Sequence, residues 1–264
     1  MNSKALGKVF LVGAGPGDPE LLTLKAYRLL GEADVVVYDR LVHASIMNLI
    51  PSRTPRVFVG KYPGRHHTPQ AQINDILVEL AQTHGTVVRL KGGDPFIFGR
   101  GGEEALELVA AGIEVVVVPG ITAAAGCGAS VGLPLTHRGY ATSVRFVTGH
   151  CRAGKPLNLD WPSLVSEGTT LVFYMGLANL DEIRTNLTRH GMSVRTPVAA
   201  VENGSTPEQR VHFSTLERVK NELAELSFRS PTLLVVGAVV RVAERLAPHM
   251  VAKPLQEASH AHLG

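Results

Sequence analysis

The sequence predicts an α/β fold with two lobes, and three observations support this prediction. The chain has 264 residues, of which 45% are hydrophobic and 19% charged, so it can bury a core. Short β-branched runs alternate with segments of helical spacing. The composition changes abruptly at ITAAAGCGASVG, residues 121–132, where almost every side chain is small. Because single cores stop growing near about 250–300 residues, we expect two small lobes.

The first lobe, residues 1–120, is predicted to contain five strands of a mainly parallel sheet. Each candidate is a short β-branched run, typical of strands buried on both faces. The runs are residues 9–13, 35–38, 57–59, 87–90 and 115–118. One helix is expected from an N-cap at Asp18, with Pro19 at its first position and Gly31 at its end, and another after Thr68-Pro69.

Residues 121–142 are interpreted as a small-residue linker, although a tightly packed helix explains the same composition equally well. The second lobe, residues 143–248, again alternates strands and helices in a parallel or mixed sheet. Its predicted strands are residues 144–148, 171–174, 198–201, 210–213 and 233–236. Helices are expected around residues 180–190 and 215–226, and residues 249–264 are expected to be disordered.

Composition also excludes several classes of protein. A net charge of +3 is too small to indicate a nucleic-acid binder. The longest apolar stretch, residues 233–240, is far shorter than the roughly 20 residues of a membrane span, and the start does not resemble a signal peptide. Cys127 and Cys151 form no metal or disulfide pattern. We therefore expect a cytoplasmic protein without a metal.

A glycine-rich turn follows the first predicted strand in LVGAGPGDPELLTLKA, where α/β proteins bind cofactors. The turn fails the dinucleotide fingerprint, because Asp18 stands where the third glycine is needed and Pro16 stiffens the loop. An acidic residue at a helix N-terminus also repels a pyrophosphate. Asp39, however, lies about where a ribose-binding acid belongs, so a dinucleotide-dependent oxidoreductase remains an alternative.

A second motif, RLKGGDPFIFGRGGEE at residues 89–104, joins a strand end to a glycine-rich helix start. Together with further segments, it resembles the uroporphyrinogen-III C-methyltransferases within the tetrapyrrole methylase family. The segments that carry the resemblance are VGAGPGDPELLT, VVYDRLV, VFVGK, VVRLKGGDPFIFGRGGEE, VVPGITAAAG, GLPLTHRGYA, VRFVTGH, TLVFYMG and AAVENGS. They cover nearly the whole chain in order.

The resemblance implies a homodimer whose chains bind S-adenosyl-L-methionine between two α/β lobes and release S-adenosyl-L-homocysteine. It implies methylation of uroporphyrinogen III at two ring carbons to precorrin-2, which feeds sirohaem, cobalamin or haem d1 synthesis. This cofactor has no phosphate, which agrees with the failed fingerprint. The cofactor-binding residues implied are Pro16, Gly92, Gly93, Asp94, Ile97, Thr122, Ala123, Met175 and Gly204.

The resemblance also implies the reacting groups. Asp39 matches the proton acceptor and Lys61 the proton donor, and a carboxylate near the ring suits the loss of a proton after methylation. Since the substrate carries eight carboxylates, the site must supply cations. Arg40, Arg100 and Arg138 are the expected partners, with Arg100 also catalytic, Glu103 orienting Arg100 or accepting from pyrrole N–H groups, and His150 as a further contact.

Three alternatives remain open at this point. The first is another member of the same fold, either a precorrin methyltransferase or a ribosomal-RNA ribose methylase. The second is the oxidoreductase, which predicts that Asp39 binds a ribose. The third is a ligand-binding module without chemistry.

Overall fold

The computed structural model describes residues 6–60, 68–150 and 155–249. The chain divides into two compact units, Met1–Ala123 and Ala124–Gly264. The division falls within the small-residue segment 121–142, where a helix, Ala123–Ser130, begins. Each unit contains one five-stranded sheet, which confirms the predicted α/β fold with two sheets flanked by helices.

The first unit is built on an all-parallel sheet. Its strands are β1 (Lys8–Gly13), β2 (Val35–Tyr38), β3 (Arg56–Phe58), β4 (Thr86–Lys91) and β5 (Glu114–Val118). They lie in the order β3-β2-β4-β1-β5. The five predicted strands are all present, because short β-branched runs are the residues that a parallel sheet buries on both faces.

Four helices cover the two faces of this sheet. They are α1 (Leu24–Glu32), α2 (Ala44–Met47), α3 (Gln70–Thr83) and α4 (Gly101–Ala110). Helices α1 and α2 pack with Val12, Val36 and Val88 on one face, whereas α3 and α4 pack with Val9 and Val87 on the other. Because the connections after β1 and β4 leave on opposite faces, the carboxyl ends of these neighbouring strands form a topological switch point, the usual place for a ligand in such sheets.

The second unit contains a mixed sheet. It comprises α5 (Ala123–Ser130, whose first residue closes the first unit), β6 (Ser143–Thr148), α6 (Trp161–Leu164), β7 (Thr169–Tyr174), α7 (Leu180–Arg189), β8 (Pro197–Glu202), β9 (Arg210–Thr215), α8 (Val219–Glu225), β10 (Thr232–Val236) and α9 (Val240–Leu246). The order is β6-β7-β10-β8-β9. The neighbours β6 and β7 are parallel, and the other three neighbouring pairs are antiparallel. Helices α6, α7 and α8 pack on one face around the buried Phe173.

Two helix predictions were wrong at their starts. Asp18 accepts a hydrogen bond from the Glu20 N–H at 2.9 Å, but it caps only a 3-10 turn, Pro19–Leu21. Helix α1 begins at Leu24 because Thr23 caps it through the Ala26 N–H at 3.1 Å, and Gly31 lies inside its last turn. Helix α8 begins at Val219 because β9 extends to Thr215.

Candidate active site

Three backbone turns pack directly on one another at the carboxyl edge of the first sheet. They follow β1, β4 and β5, and they contain Gly13, Gly93 and Gly120. A Cβ on Gly13 would lie 2.5 Å from the Gly120 N and 2.6 Å from the Gly93 O. The sequence therefore uses glycine here because the neighbouring backbones leave no space for a side chain.

The turn after β1 is paired with the turn after β4. The Gly93 N–H donates to the Gly15 O at 2.7 Å, and the Gly15 N–H donates to the Gly93 O at 3.1 Å. Both glycines have positive φ, +72° and +69°, a conformation that favours glycine. A Cβ on Gly93 would lie 3.8 Å from the Ala123 N. The fold thus brings the turns holding Pro16, Gly93 and the Thr122-Ala123 pair to one edge.

Asp94 connects two of these turns. Its Oδ1 accepts from the Phe96 N–H at 2.8 Å, and its Oδ2 accepts from the Gly120 N–H at 3.1 Å. Both carboxylate oxygens therefore bind backbone groups of the protein. Asp94 thus holds the Gly120 turn in place, and its part in cofactor binding stays a prediction.

Gly92 and Ile97 flank this aspartate in the same loop. A Cβ on Gly92 would lie 2.7 Å from the Leu41 Cβ, so the space beside Gly92 belongs to the loop after β2. The Ile97 side chain is half-buried, and Phe96 beside it is exposed. The loop therefore presents apolar surface at the edge of the sheet.

Asp39 follows β2 directly, and β2 is the neighbour of β4 in the sheet. Its Oδ1 accepts from the Leu41 N–H at 3.0 Å, and its Oδ2 binds the Arg89 guanidinium at 3.0 Å. The next residue, Arg40, is exposed. Lys61, the predicted proton donor, lies outside the described residues.

A cluster of buried charges lies behind Asp39, and our reading of the sequence missed it. Glu104 of α4 is fully buried, and one of its oxygens accepts from Arg89 Nε at 3.2 Å and Lys91 Nζ at 3.0 Å. Gln70 of α3 donates to the same oxygen at 3.2 Å. Burial lowers the pKa of Lys91, and Arg89 lowers it further, whereas Glu104 raises it. The spacing of RLK was the available signal, since residues two apart share one face of a strand.

Arg100 and Glu103 form an exposed pair at the start of α4. Arg100 Nε donates to Glu103 Oε1 at 2.8 Å, and an Nη donates to Oε2 at 2.6 Å. The hydrogen bond raises the pKa of Arg100 and lowers the pKa of Glu103. Arg100 is also the N-cap residue and has a φ of 59°. The pair agrees with one of the two predicted roles of Glu103, the orientation of Arg100, and both roles stay predictions.

Three predicted residues lie at one edge of the second sheet. Strands β6, β7 and β8 run in the same direction, and His150, Met175 and Gly204 follow their carboxyl ends. His150 and Met175 are exposed. A Cβ on Gly204 would overlap the sulfur of Cys127 in α5. The structure thus collects these three positions within the second unit.

Arg138 is not among them. It lies in the tight turn between His137 and Ala141, which precedes β6. It therefore stands at the amino end of that strand, whereas His150 follows the carboxyl end. β6 is six residues long, or about 20 Å, so Arg138 and His150 flank opposite ends of this strand.

The carboxyl edge of the first sheet fits a ligand that has no phosphate. Residues 13–17 contain no cation, and Asp18 stands just beyond them. The turns offer backbone groups and apolar surface instead. Residues 6–60, 68–150 and 155–249 contain no cluster of three or more His, Cys, Asp or Glu side chains that could hold a metal ion. Among the same residues, no helix combines the length and apolar character needed to cross a bilayer.

These features define a two-unit α/β protein with a glycine-lined candidate ligand site at the topological switch point of its first sheet. Residues 8–220 match the family Tetrapyrrole (Corrin/Porphyrin) Methylases, and the chain belongs to this family. This confirms the resemblance that the sequence motifs indicated.

The most similar relatives include siroheme synthases. That of Acinetobacter baylyi is 56% identical over 240 residues, which cover 91% of this chain and 52% of the relative. That of Pseudomonas aeruginosa is 55% identical over 243 residues, with 92% and 52% covered. The chain therefore spans about half the length of these relatives.

Solved structures include a uroporphyrin-III C-methyltransferase from Thermus thermophilus in complex with S-adenosylhomocysteine. It is 46% identical and has a TM-score of 0.78, and the match covers 89% of this chain and 100% of the Thermus chain. A cobalt precorrin-4 methyltransferase has a TM-score of 0.77 over 88% of this chain and 95% of its own. At 23% identity, the second similarity shows the fold alone.

Proposed function

We propose that this protein transfers methyl groups from S-adenosyl-L-methionine to two ring carbons of uroporphyrinogen III, giving precorrin-2. The observation that carries the proposal is the full-length similarity to the Thermus enzyme, which was solved with S-adenosylhomocysteine. The siroheme synthase relatives support the same step, with sirohaem as one destination of the product. Cobalamin and haem d1 synthesis would draw on the same compound.

The carboxyl edge of the first sheet would hold the cofactor. Pro16, Gly92, Gly93, Asp94, Ile97, Thr122 and Ala123 lie in the three turns there, and Met175 and Gly204 are proposed from the second unit. When bound, S-adenosyl-L-methionine supplies the methyl group and leaves as S-adenosyl-L-homocysteine. Asp94 would act by fixing the Gly120 turn, since its oxygens are already bound by backbone N–H groups.

Asp39 would act as the base. A pyrrole carbon that gains a methyl group leaves the macrocycle cationic, and a proton must leave it before the conjugated product forms. Asp39 remains partly exposed, with 24% of its side chain open to solvent, while Arg89 holds one of its oxygens. The carboxylate thus lies, partly open to solvent, beside the edge where the tetrapyrrole would bind. Lys61 stays a proposed proton donor.

Arg100 would bind a carboxylate of the substrate. Glu103 engages its Nε and one Nη, so Glu103 sets the direction of the guanidinium plane. Arg40, Arg138 and His150 are proposed as further contacts.

The direct test is an anaerobic assay of the purified chain with uroporphyrinogen III and S-adenosyl-L-methionine. We expect a product that has gained two methyl groups, together with S-adenosyl-L-homocysteine. Calorimetry should show binding of S-adenosyl-L-homocysteine and none of NADH. Methylation of a precorrin but not of uroporphyrinogen III would instead place the chain elsewhere in its family.

The division of work between Asp39 and Arg100 is tested by two variants. Asp39→Asn should bind uroporphyrinogen III normally but lose roughly a hundredfold or more in single-turnover rate, as expected for a lost general base. Arg100→Lys should mainly weaken substrate binding, because an ammonium cannot reproduce the bidentate fork. If Asp39→Asn loses affinity and keeps its rate, Asp39 only positions the substrate.

The homodimer is proposed from the family resemblance, whereas the cytoplasmic location is proposed from the apolar stretches and the cysteine content of the sequence. Light scattering at micromolar concentration should give twice the chain mass of 28.2 kDa. A mass equal to one chain would contradict the dimer.

A further inference from the structure

Two basic residues point from the central strand β4 into the core of the first unit. Arg89 and Lys91 are two positions apart, so they share the face that α3 and α4 cover, whereas Val88 and Leu90 lie on the opposite face. Their side chains are only 3% and 5% exposed. Strands of parallel sheets are ordinarily apolar on both faces, and a buried charge is unfavourable unless it is paired. Packing alone does not explain these residues.

Glu104 is the centre of the cluster. Its Oε1 accepts all three hydrogen bonds, from Arg89, Lys91 and Gln70. Its Oε2 is buried and has no hydrogen-bond partner within the part of the chain that the structure describes. A carboxylate has acceptor sites on both oxygens, and a buried oxygen without a donor is unfavourable. The arrangement therefore fixes the positions of the three donor side chains, although it leaves one oxygen of Glu104 without a described donor.

Arg89 connects Glu104 to Asp39, because it binds both carboxylates. Its Nε binds Glu104, one Nη binds the Leu90 O at 3.0 Å, and the other Nη binds Asp39 Oδ2 at 3.0 Å. Because the guanidinium is buried and planar, fixing one side of it fixes the side that faces Asp39. The Leu41 N–H holds the second oxygen of Asp39. The carboxylate is thus held by its own turn and, through Arg89, by helix α4.

Lys91 completes the charge balance. The cluster contains two cations, Arg89 and Lys91, and two anions, Asp39 and Glu104. The charge of Lys91 also lowers the pKa of Glu103, the residue before Glu104 in α4. Burial and Arg89 both lower the pKa of Lys91, and Glu104 is the main group that opposes them. Loss of the Glu104 charge would leave an excess of positive charge around Asp39.

We propose that Glu104 and Lys91 are positioning residues for Asp39: Glu104 aligns Arg89 against the Asp39 carboxylate, and Lys91 balances the charge of Glu104. Both are buried, so they act through Arg89 and not on the substrate. The inference rests on the proposed function, in which Asp39 accepts the proton.

The test uses the full chain with four variants: Glu104→Gln, Lys91→Met, the double variant of both, and Glu107→Gln. Glu104→Gln keeps the shape of the side chain and removes its charge. Glu107 is the matched control, since it is exposed on the same helix. The measurements are the affinity for S-adenosyl-L-homocysteine, KM for uroporphyrinogen III and the single-turnover rate.

We expect Glu104→Gln to lower the single-turnover rate roughly tenfold or more while KM and S-adenosyl-L-homocysteine affinity stay unchanged. Lys91→Met should also lower the rate, because Glu104 and Asp39 then compete for Arg89. The double variant should recover much of the rate, since one cation again faces one anion. Glu107→Gln should behave as the wild type.

An unchanged rate in Glu104→Gln would overturn the inference. So would a double variant that is slower than either single variant and loses S-adenosyl-L-homocysteine affinity, because the cluster would then only hold the fold. If Glu104→Gln does not fold, Lys91→Met carries the test, and an unchanged rate in that variant overturns the inference. A wild-type chain that is inactive on uroporphyrinogen III overturns both the proposed function and this inference.

Discussion

Among the described residues, each unit of this protein buries one glutamate, and the two carboxylates have different hydrogen-bond partners. Glu202 of the second sheet binds Arg210 through one oxygen at 2.9 Å and the Arg229 N–H through the other at 2.8 Å. Glu104 of helix α4, in the first unit, accepts three donors on one oxygen and none, among the described residues, on the other. A carboxylate that only joins elements satisfies both of its oxygens, as Glu202 does.

The partners of the two glutamates differ as well. Arg210 is 45% exposed and stacks on Phe228 with 4.5 Å between the guanidinium carbon and the ring centre. Arg89 and Lys91 are buried and have no such access to water. The first unit therefore retains buried charges next to Asp39, which are unfavourable, whereas in the second unit the cation that pairs with Glu202 reaches solvent. This difference supports the proposal that Asp39, in the first unit, acts as the base.

The largest expected effect is on stability. Glu104→Leu should lower the free energy of urea unfolding by about 3–5 kcal/mol, the usual loss when one partner of a buried ion pair is removed. Glu202→Leu should lose only about 1–2 kcal/mol, because Arg210 can turn to water. Equal losses in the two variants would contradict the comparison.

A second contrast concerns the glycines of the turns. Gly13→Ala should lower the free energy of unfolding by about 1–3 kcal/mol or more. Its Cβ would meet backbone atoms of Gly93 and Gly120, and backbone atoms cannot be removed by a side-chain substitution. Gly204→Ala should also destabilise the chain, because its Cβ would meet the sulfur of Cys127. Adding Cys127→Ala should restore part of that loss in thermal unfolding. No recovery would show that the Gly204 turn is also limited by backbone.

The smallest contrast appears at alkaline pH and has opposite signs in the two units. Burial raises the pKa of Cys127 from 9.0 to about 12, so the unfolded chain releases this proton first and stability falls between pH 9 and 12, by about 1.4 kcal/mol at pH 10. The pKa of Lys91 is lowered from 10.5, so the unfolded chain holds this proton longer and stability rises as the pH approaches 10.5.

Urea unfolding between pH 8.5 and 10.5 in a Cys151→Ser background measures both effects. Cys127→Ala should lose stability less steeply with pH than its parent. The Lys91→Met variant should lose stability more steeply with pH than its parent. A change of slope in the same direction for both variants would disprove the assigned burial of one of them.

The strands were predictable because their signal is local. All ten predicted strands are present, since β-branched runs indicate buried strands without knowledge of the partners. The start of α1 was not predictable in the same way, because Asp18-Pro19 and Thr23 are both good starts and only the observed backbone distinguishes them. The short helices α2, α6 and α9 were not predicted, since one or two turns carry too little periodicity.

The site was predictable in part, and for a different reason. Gly93, Asp94 and Asp39 came from long motifs, and the structure places the first two in one pair of turns. Their partners did not follow from the motifs: the oxygens of Asp94 bind backbone groups, and Asp39 binds Arg89, which lies fifty positions further along the chain. Contacts at such distance depend on the order of strands in the sheet, which local patterns do not fix.

Strand β4 carries both halves of the first unit's site. Arg89, which binds the Asp39 carboxylate, lies in the strand, and the turn that contains Gly93 and Asp94, proposed to hold the cofactor, follows its last residue. The strand is central and paired on both sides, so it is among the stiffest parts of the unit. In the proposed function, one stretch of paired backbone would therefore carry both the residue that holds the base and the turn that holds the methyl donor. The spacing between the two would then be set within a single strand rather than by the packing of separate elements.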